Sequence, residues 1–583
     1  AAQREVELAQ RFANDAESLQ QQLSAFIWRY GAAQVKKDEA GKVSVSDFTE
    51  FKVFKKQGTG YVWSPGEKIP DPQWHFCFLG SEHGHAGSDN TAPVAQWTAP
   101  FDADIKISGA LKRPNEAGNG VRGWIVNSRT GGVLDLHVDP KGTVNMNVAK
   151  LAVKWVVAFP ESSQLRSQAT AAGGALFVGS HDGSVYALDQ ATGCTRWQFK
   201  AATEVRTAVT LDFASETGAT GGPTVRAVFG DRAANVYALD AETGALRWQV
   251  SVDAHPNAAI SGSITAHDGR LFVPLSSNDD INSMDPKFPC CTHSGAVVAL
   301  DVRTGELLWR TPTIEEAPRR TGETSIGTEI RGPSGASIWN TPTLDAKRGL
   351  LFVGTGNNHS RPATARSDSV LALELATGRV VWTYQAQAQD AWNAACSFGT
   401  RTSCPDPEGP DTDFGGTTML VDVGGRELLF AGQKAGILHA LDPATGRLVW
   451  KKQIVRGGPQ GGIRYGLSSL AGVVFVPAMV EGDEQGEGRA ALPGLQALSA
   501  KDGRVVWQTN GAALCAERSP CVGIIGAPPL ATDEVVFAAG VDGVVYALDR
   551  ASGAVLWQLD TSGEWSTLRG GTTRGGGIQG TAG

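Results

Sequence analysis

Short apolar runs, each followed by a polar turn and a second run that ends in tryptophan, recur along most of the chain. The segment from Ala187 to Trp197 has the pattern Ala-x-Asp-x-x-Thr-Gly-x-x-x-Trp. Alternating positions around a glycine turn predict a β-hairpin, and repetition at a long period predicts similar units stacked around an axis. Six further copies, at intervals of 50 to 73 residues, end at Trp248, Trp309, Trp382, Trp450, Trp507 and Trp557. The pattern therefore predicts a β-propeller in which each indole docks on the neighbouring blade.

One further segment predicts how the ring closes. Leu151-Ala-Val-Lys-Trp155 has the pattern of a lone closing strand. Pairing of the two ends of the propeller would complete another blade and remove the exposed sheet edges. We therefore expect an all-β fold with an eight-bladed propeller over residues 148–583.

The first quarter of the chain has two other patterns. Residues 1–44 begin with apolar positions near helical spacing, which predicts an N-terminal helical segment. Residues 45–147 consist of short alternating runs between glycines and prolines, which predicts a small β-sandwich accessory domain. This domain is expected to be a structural accessory, with recognition of a sugar or polymer as the alternative.

Composition narrows the class of protein. With 41% hydrophobic residues, 71 glycines and a net charge of −8, the chain fits a turn-rich globular protein with no basic surface for nucleic acid or anionic lipid. No run of about 18 apolar residues is present, so no membrane-spanning helix is expected. The chain opens at Ala1 without a basic, then apolar, leader, as a processed protein would.

The cysteines predict an oxidising compartment. Two pairs, Cys396 with Cys404 and Cys515 with Cys521, close short loops and are expected to be disulfides, which favours the periplasm or the extracellular space. The adjacent Cys290 and Cys291 leave three alternatives open: a bond to each other, free thiols, or separate bridges, for example to Cys194. No Cys-x-x-Cys-His motif for haem attachment occurs.

Candidate chemistry is concentrated between residues 330 and 440. Trp339 is followed 18 positions later by Asn357, at the end of Phe-Val-Gly-Thr-Gly-Asn. Asp411 and Asp413 stand two apart in Gly-Pro-Asp-Thr-Asp-Phe-Gly, on one side of an extended segment. Lys434 lies in Gly-Gln-Lys-Ala-Gly, just before a blade hairpin.

Four motifs in this order resemble the quinoprotein (PQQ-dependent) alcohol dehydrogenase family, and most of all its polyvinyl alcohol dehydrogenases. The likeness covers about residues 148–580. The motifs are Cys290-Cys291-Thr-His-Ser-Gly-Ala-Val-Val-Ala-Leu-Asp, Asp390-Ala-Trp-Asn-Ala-Ala-Cys396, Gly409-Pro-Asp-Thr-Asp-Phe-Gly415 and Gly432-Gln-Lys-Ala-Gly436.

The resemblance implies roles for the candidate residues. Trp339 would be the flat floor on which pyrroloquinoline quinone (PQQ) stacks. Asn357 would be the amide ligand of Ca²⁺ or a lanthanide, joined by the carboxylates of Asp411 and Asp413. Asp411 would be the general base that takes the hydroxyl proton, with Asp390 as the rival base.

The resemblance also assigns the groups that hold the quinone. Lys434 would touch a quinone carbonyl, and Arg206 would bind a cofactor carboxylate. Cys290 and Cys291 would form a vicinal disulfide against the planar cofactor. The family's metal-ligating Glu has no counterpart before this hairpin, where the nearest acids are Asp279, Asp280 and Asp285.

These assignments predict a secreted dehydrogenase. It would oxidise alcohol groups, with a polymer such as polyvinyl alcohol as a candidate substrate, by hydride transfer to PQQ, and pass electrons to a c-type cytochrome. The rival hypothesis is a propeller without catalysis that acts as an assembly scaffold or recognition module.

Overall fold

The computed structural model describes residues 153–159, 165–213, 225–477, 479–480, 494–516, 518, 521–568 and 570–578 in full, and the bounds of eleven strands before residue 153. By its contacts the chain divides into two compact units, 1–152 and 153–583. Residues 1–28, where the helical pattern is strongest, lie outside the described residues.

The first unit contains antiparallel strands. The three-stranded sheet consists of β1 (Arg29–Lys37) between β2 (Val43–Glu50) and β7 (Thr91–Gln96). The four-stranded sheet consists of β3 (Val53–Gln57), β4 (Gly60–Ser64), β5 (Phe78–Gly80) and β6 (Gly84–His85). Two further pairs are β8 (Ile107–Lys112) with β11 (Thr143–Val148) and β9 (Val121–Asn127) with β10 (Gly131–Val138). The bounds of the accessory domain stay a prediction.

The second unit is a β-propeller of seven blades, each an antiparallel sheet. Blade 1 consists of β12 (Thr170–Ala172), β13 (Ala175–Gly179), β14 (Ser184–Asp189) and β15 (Thr195–Lys200), and blade 2 of β16 (Thr210–Asp212), β17 (Arg226–Gly230), β18 (Asn235–Asp240) and β19 (Leu246–Ser251). Blade 3 has five strands, β20 (Ala258–Ala259), β21 (Thr265–His267), β22 (Arg270–Ser277), β23 (Ala296–Asp301) and β24 (Leu307–Pro312).

Blades 4 to 7 have four strands each. Blade 4 consists of β28 (Thr343–Asp345), β29 (Leu350–Gly354), β31 (Ser369–Glu374) and β32 (Val380–Gln385), and blade 5 of β33 (Met419–Val423), β34 (Arg426–Gly432), β35 (Ile437–Leu441) and β36 (Leu448–Gln453). Blade 6 consists of β37 (Ser468–Leu470), β38 (Val473–Pro477), β39 (Leu495–Ser499) and β40 (Val505–Thr509), and blade 7 of β41 (Leu530–Ala531), β42 (Val535–Ala539), β43 (Val544–Asp549) and β44 (Val555–Asp560).

Additional short elements lie between and after the blades. Two small sheets pair β25 (Arg319–Glu323) with β26 (Glu329–Gly332) and β27 (Ser334–Gly335) with β30 (Asn358–Ser360). Among the described residues, the helices are α1 (Asp279–Asn282), α2 (Gly511–Cys515) and a 3₁₀ turn at Ala394–Cys396. Within the described part of the chain, no helix has the length and apolar character needed to cross a bilayer.

The prediction of eight blades is wrong, since the described residues form seven. After the seventh blade, β45 (Glu564–Ser566) and β46 (Thr572–Arg574) form a separate two-stranded sheet instead of an eighth blade. The Leu568 N–H donates to the Val156 carbonyl at 3.1 Å, so the two ends of the propeller do meet. The segment around Trp155 has the sequence of a closing strand, but it contributes a docked indole rather than a strand of a full blade.

The tryptophans of the first six repeats join neighbouring blades, as predicted, and Trp155 makes the same contact with blade 1. Trp197 lies opposite Ala187 in the ladder, and its indole N–H donates to the Ala241 carbonyl of the next blade at 3.0 Å. The ring covers Gly244, whose missing Cβ would lie 2.7 Å from a ring carbon. Equivalent indole hydrogen bonds join Trp155 to Gln190, Trp248 to Val302, Trp309 to Leu375, Trp382 to Pro443, Trp450 to Ala500 and Trp507 to Arg550. The regular spacing of Gly and Trp in the repeats of this chain thus reflects one contact that recurs from blade to blade.

The structure shows which cysteines are bonded to each other. Cys396–Cys404 and Cys515–Cys521 are bonded as predicted. Cys290 and Cys291 are bonded to each other, and Cys194 is free and exposed.

Candidate active site

The blade connections bring the candidate residues to one face of the propeller. Trp339 precedes β28 and Asn357 follows β29, whereas Asp411 and Asp413 precede β33 and Lys434 follows β34. Loops before a blade's first strand and after its second strand emerge on the same side of an antiparallel sheet. All five residues line one cavity of about 990 Å³.

Asp413 is the hydrogen-bonding centre of this group. Its Oδ2 accepts from the Trp339 indole N–H at 3.1 Å and lies 3.1 Å from Lys434 Nζ. Its Oδ1 accepts from the Asn357 backbone N–H at 2.7 Å. Burial alone would raise the pKa of Asp413, but Lys434 and the Asn357 N–H lower it below its ordinary value. Asp413 is therefore an ionised anchor that fixes the other residues.

Lys434 and Asp411 form a buried ion pair. Lys434 Nζ donates to Asp411 Oδ1 at 2.8 Å, and the two side chains are 7% and 1% exposed. Burial would lower the pKa of Lys434, yet Asp411 and Asp413 together raise it, so the ammonium stays charged. Burial raises the pKa of Asp411 well above its ordinary range, although Lys434 opposes this shift.

Two more buried carboxyls surround the pair. Asp390 accepts from the backbone N–H groups of Asp411 at 3.2 Å and Thr412 at 2.9 Å, so it holds the Asp411 loop in place. Neither carboxyl oxygen of Asp368 has a hydrogen-bond partner among the described residues. Burial, followed by the charges of Asp390 and Asp413, raises the pKa of Asp368 well above normal. One ammonium thus faces four acids, and bound protons or a cation must supply the missing positive charge.

The oxygens that remain available suit a hard cation. The Asn357 amide donates to the carbonyls of Asn358 at 2.7 Å and Trp392, which leaves its Oδ1 as the atom available for a ligand. Asp411 Oδ2 is buried and, within the described chain, unpartnered. Amide and carboxylate oxygens are the ligands that Ca²⁺ prefers. Asp413 already accepts three donors, so it can contribute only a remaining lone pair.

Other unpartnered polar atoms show that the cavity fits a polar ligand. Ser337 Oγ, His359 Nδ1 and Trp392 Nε1 are buried without a hydrogen-bond partner in the described residues, and all three residues line the cavity. Buried polar groups normally have partners. Their donors and acceptors, together with the indole of Trp339, match a flat, oxygen-rich molecule such as PQQ.

Arg206 belongs to a cluster of three arginines that line the same cavity. Burial, with Arg232 and Arg166 nearby, lowers the pKa of Arg206 to about 9. Burial and the charge of Arg166 lower the pKa of Arg232 to about 10. Arg206 pairs with Glu204, and Arg232 donates to Ser261 at 2.6 Å. A bound anion would relieve the repulsion among these guanidiniums.

The vicinal disulfide does not join the central group. Cys290 and Cys291 are buried, and Asn393 donates to Cys290 Sγ at 3.7 Å, but neither cysteine lines the cavity in the described structure. Contact of the disulfide with a quinone stays a prediction.

Asp279, Asp280 and Asp285 are the acids nearest in sequence to the position of the family's metal-ligating Glu. Of these three, Asp280 alone lines the cavity. Asp279 accepts from the backbone N–H groups of Thr292 and His293, each at 2.7 Å, and Asp285 accepts from that of Lys287 at 2.9 Å. Asp279 and Asp285 are therefore used in local structure.

Glycines in the motifs make the close contacts possible. A Cβ on Gly415 would lie 1.8 Å from the Trp339 ring, so the indole rests directly on this backbone. A Cβ on Gly356 would lie 2.9 Å from Asp413 Oδ1. Gly415, two residues after Asp413, and Gly356, directly before Asn357, are therefore part of the site's packing.

Several site residues had no recognisable motif. The sequence gives no local pattern for Arg166, Arg232, Ser337 and His359, which only the ring geometry brings to the cavity, or for Asp368, which lies buried near Asp390 and Asp413. Arg232 had one usable signal: it occupies the turn after β17 that corresponds to Lys434 after β34.

Two family profiles match parts of this chain. The profile of the glucose/ethanol/alcohol dehydrogenase β-propeller domain matches residues 142–398. The profile of the outer membrane protein assembly factor BamB matches residues 328–482 and 434–575.

Two relatives carry the same description, polyvinylalcohol dehydrogenase. The protein from a Pseudomonas species is 34% identical over 85% of this chain and 76% of its own length. The protein from a Sphingopyxis species is 36% identical over 75% of this chain and 67% of its own length. Among solved structures, a quinohemoprotein alcohol dehydrogenase of Pseudomonas putida matches with a TM-score of 0.51 at 18% identity, covering 73% of this chain and 70% of the other, which supports the propeller fold.

Proposed function

This chain belongs to the PQQ-dependent (quinoprotein) alcohol dehydrogenase family and is an oxidoreductase, and from that premise we propose that it oxidises secondary alcohol groups, including those of polyvinyl alcohol. One observation carries the proposal. Asp411 is buried beside Trp339 and Asn357, with one carboxylate oxygen bonded to Lys434 and the other unpartnered in the described structure.

Asp411 is the proposed general base. A base needs a free lone pair within reach of the substrate hydroxyl, and Asp411 Oδ2 has no hydrogen-bond partner among the described residues. Asp390 is fully buried and already accepts hydrogen bonds from the Asp411 loop, so it positions the base. Because burial raises the pKa of Asp411, a cation beside its free oxygen would favour the ionised, reactive form.

Trp339, Lys434 and the arginine cluster are proposed to hold PQQ. When bound, PQQ supplies the two-electron acceptor for the hydride that leaves the alcohol carbon. The indole offers a flat surface, and Lys434 offers a permanent positive charge 5.7 Å from that ring. Arg206, with Arg166 and Arg232, supplies charge for an anionic group.

Asn357 and Asp411 are the proposed cation ligands, with Asp413 beside them. Their oxygens suit Ca²⁺. A lanthanide ion, which has a higher charge, suits the site equally well because the buried carboxyls outnumber the ammonium groups. The joint presence of base, amide oxygen and ammonium favours catalysis over the scaffold hypothesis.

The cellular setting is also part of the proposal. Three disulfides favour an oxidising compartment, so we place the protein in the periplasm or outside the cell. The sequence contains no haem attachment motif, and a c-type cytochrome is the proposed electron acceptor.

Reconstitution tests the proposal. The full chain is loaded with PQQ and either Ca²⁺ or a lanthanide, and oxidation of 2-propanol and polyvinyl alcohol is followed with an electron-accepting dye. We expect turnover that depends on quinone and cation together. Quinone that binds without any alcohol oxidation would contradict the proposal.

A further inference from the structure

Two chemically different sets of side chains line the cavity that contains the candidate site. Asp411, Asp413 and Lys434 are charged and buried. A second set is apolar and consists of Val153, Val157, Phe159, Leu165, Ile281 and Trp565. We call these six residues the apolar collar, and we infer that it holds the saturated carbon chain on either side of the alcohol carbon being oxidised.

Exposure of the collar points to a ligand. Val153, Leu165 and Ile281 are 41%, 45% and 51% exposed, although each is a large apolar side chain. Exposed apolar residues that cluster around a cavity mark a binding surface, whereas isolated ones need no explanation. Here all three line the cavity that also contains the reactive groups.

Packing of the collar indicates a surface that is already formed. Val157 and Phe159 pack on Tyr186 and its neighbours in blade 1, with the rings of Phe159 and Tyr186 5.0 Å apart. The Trp565 indole N–H donates to the Thr561 carbonyl at 3.0 Å, which fixes the ring. A surface held in this way can bind a flexible chain without first being ordered.

The size of the cavity leaves room for such a chain. Small-molecule sites span roughly 300–1,000 Å³, and the present cavity of about 990 Å³ lies at the upper end. A cofactor on the Trp339 floor would occupy only part of it. The remaining occupant must place a hydroxyl at Asp411 and hydrocarbon against the collar, as a long secondary alcohol or a vinyl alcohol oligomer does.

This inference rests on the proposed function, and a series of alcohols tests it. Each methylene that leaves water is worth about fourfold in binding. We expect kcat/KM of the loaded wild-type enzyme to rise about two- to fourfold per carbon from 2-butanol to 2-octanol. Leu165→Ser and Ile281→Ser should each flatten this rise, so that their loss grows with chain length.

The control is Leu530→Ser. Leu530 is 64% exposed but does not line the cavity, so this variant should keep the wild-type dependence on chain length. Equal slopes for the wild type and both collar variants would overturn the inference while leaving alcohol oxidation, and the proposed function, intact.

A second measurement does not need turnover. Binding of a vinyl alcohol oligomer of about ten units to the full chain is followed by calorimetry, and apolar contact predicts a negative heat-capacity change. We expect Leu165→Ser and Ile281→Ser to weaken this binding at least threefold, with Leu530→Ser unchanged. Oligomer binding of the same strength in all four proteins would refute the collar even if the reconstituted enzyme were inactive.

Discussion

The ammonium of Lys434 lies 2.8 Å from a carboxylate oxygen of Asp411, with both side chains buried at the floor of the cavity. Separating either charge from the other leaves an uncompensated charge in a low-dielectric site. The pair therefore links the stability of the propeller to the chemistry of the site, and the first prediction follows from it.

Lys434→Met should destabilise the fold in a pH-dependent way. Loss of a partner from a buried ion pair costs about 3–5 kcal/mol. In the wild type, the pKa of Asp413 is lower in the folded than in the unfolded chain, so ionised Asp413 stabilises the fold above the ordinary carboxyl pKa. This stabilisation is lost as the pH falls and Asp413 becomes protonated. That loss occurs below about pH 4, the ordinary carboxyl pKa, so the difference between wild type and variant should be larger at pH 6 than at pH 3, as measured by urea unfolding.

Lys347→Met is the matched control for that experiment. Lys347 pairs with Glu427 at 3.1 Å, but its side chain is 73% exposed. Exposed pairs contribute about 1 kcal/mol or less. A similar loss of stability in both variants would show that the Lys434 pair has no special role.

Gly415→Ala should displace the Trp339 ring. The added methyl would lie 1.8 Å from a ring carbon, and the Trp339–Asp413 hydrogen bond depends on the ring's position. We expect quinone affinity, measured by absorbance titration, to fall by about tenfold or more as stacking is lost. In Gly416→Ala the nearest atom is 3.1 Å away and belongs to Gly466, so affinity should change much less. Equal affinities in the two variants would remove Trp339 from the quinone site.

Gly378→Ala tests the docking contact between blades. Gly378 has φ of +73°, and its added methyl would lie 2.4 Å from the Trp309 ring. Gly269 has φ of +72° but nothing within 4 Å, so Gly269→Ala isolates the backbone strain of about 1–2 kcal/mol. We expect Gly378→Ala to lower the free energy of unfolding by about 1–3 kcal/mol more than Gly269→Ala does, as measured by denaturant unfolding. Equal free energies of unfolding for Gly378→Ala and Gly269→Ala would mean that the indole contact adds nothing to stability.

Asp368→Asn should alter how stability depends on pH. Burial and the neighbouring carboxyls raise the pKa of Asp368, so its contribution is fully present below about pH 4 and is lost as the pH rises through the folded-state pKa. The amide cannot ionise, so the variant should gain stability relative to wild type between pH 4.5 and pH 8 in thermal unfolding of the cation-free chain. A constant difference across this range would mean that Asp368 does not titrate in the folded protein.

Repetition in the sequence was sufficient to predict the propeller, because one contact between Trp and a Gly turn repeats in every blade. Asn357, Asp411, Asp413 and Lys434 could be singled out because each stands in a short glycine-containing motif, and Trp339 because it stands 18 positions before Asn357. The structure brings all five to one cavity.

Ring closure and the rest of the site could not be predicted. The segment at Trp155 has a strand's local sequence, but strand pairing depends on partners more than 400 residues away, near Leu568. Arg232 and Asp368 become site residues only through packing of separate blades. Such long-range contacts leave no local pattern in a single sequence.

The most direct test of the central claim compares Asp411→Asn with Asp390→Asn in chains loaded with PQQ and Ca²⁺. We predict one bound quinone per chain in Asp411→Asn and a loss of kcat of about 10²- to 10⁴-fold, since the proton acceptor is gone. Asp390→Asn should retain more activity, because Asp390 positions the loop through the backbone N–H groups of Asp411 and Thr412. Wild-type turnover in Asp411→Asn, with activity abolished only in Asp390→Asn, would contradict the account and move the base to Asp390.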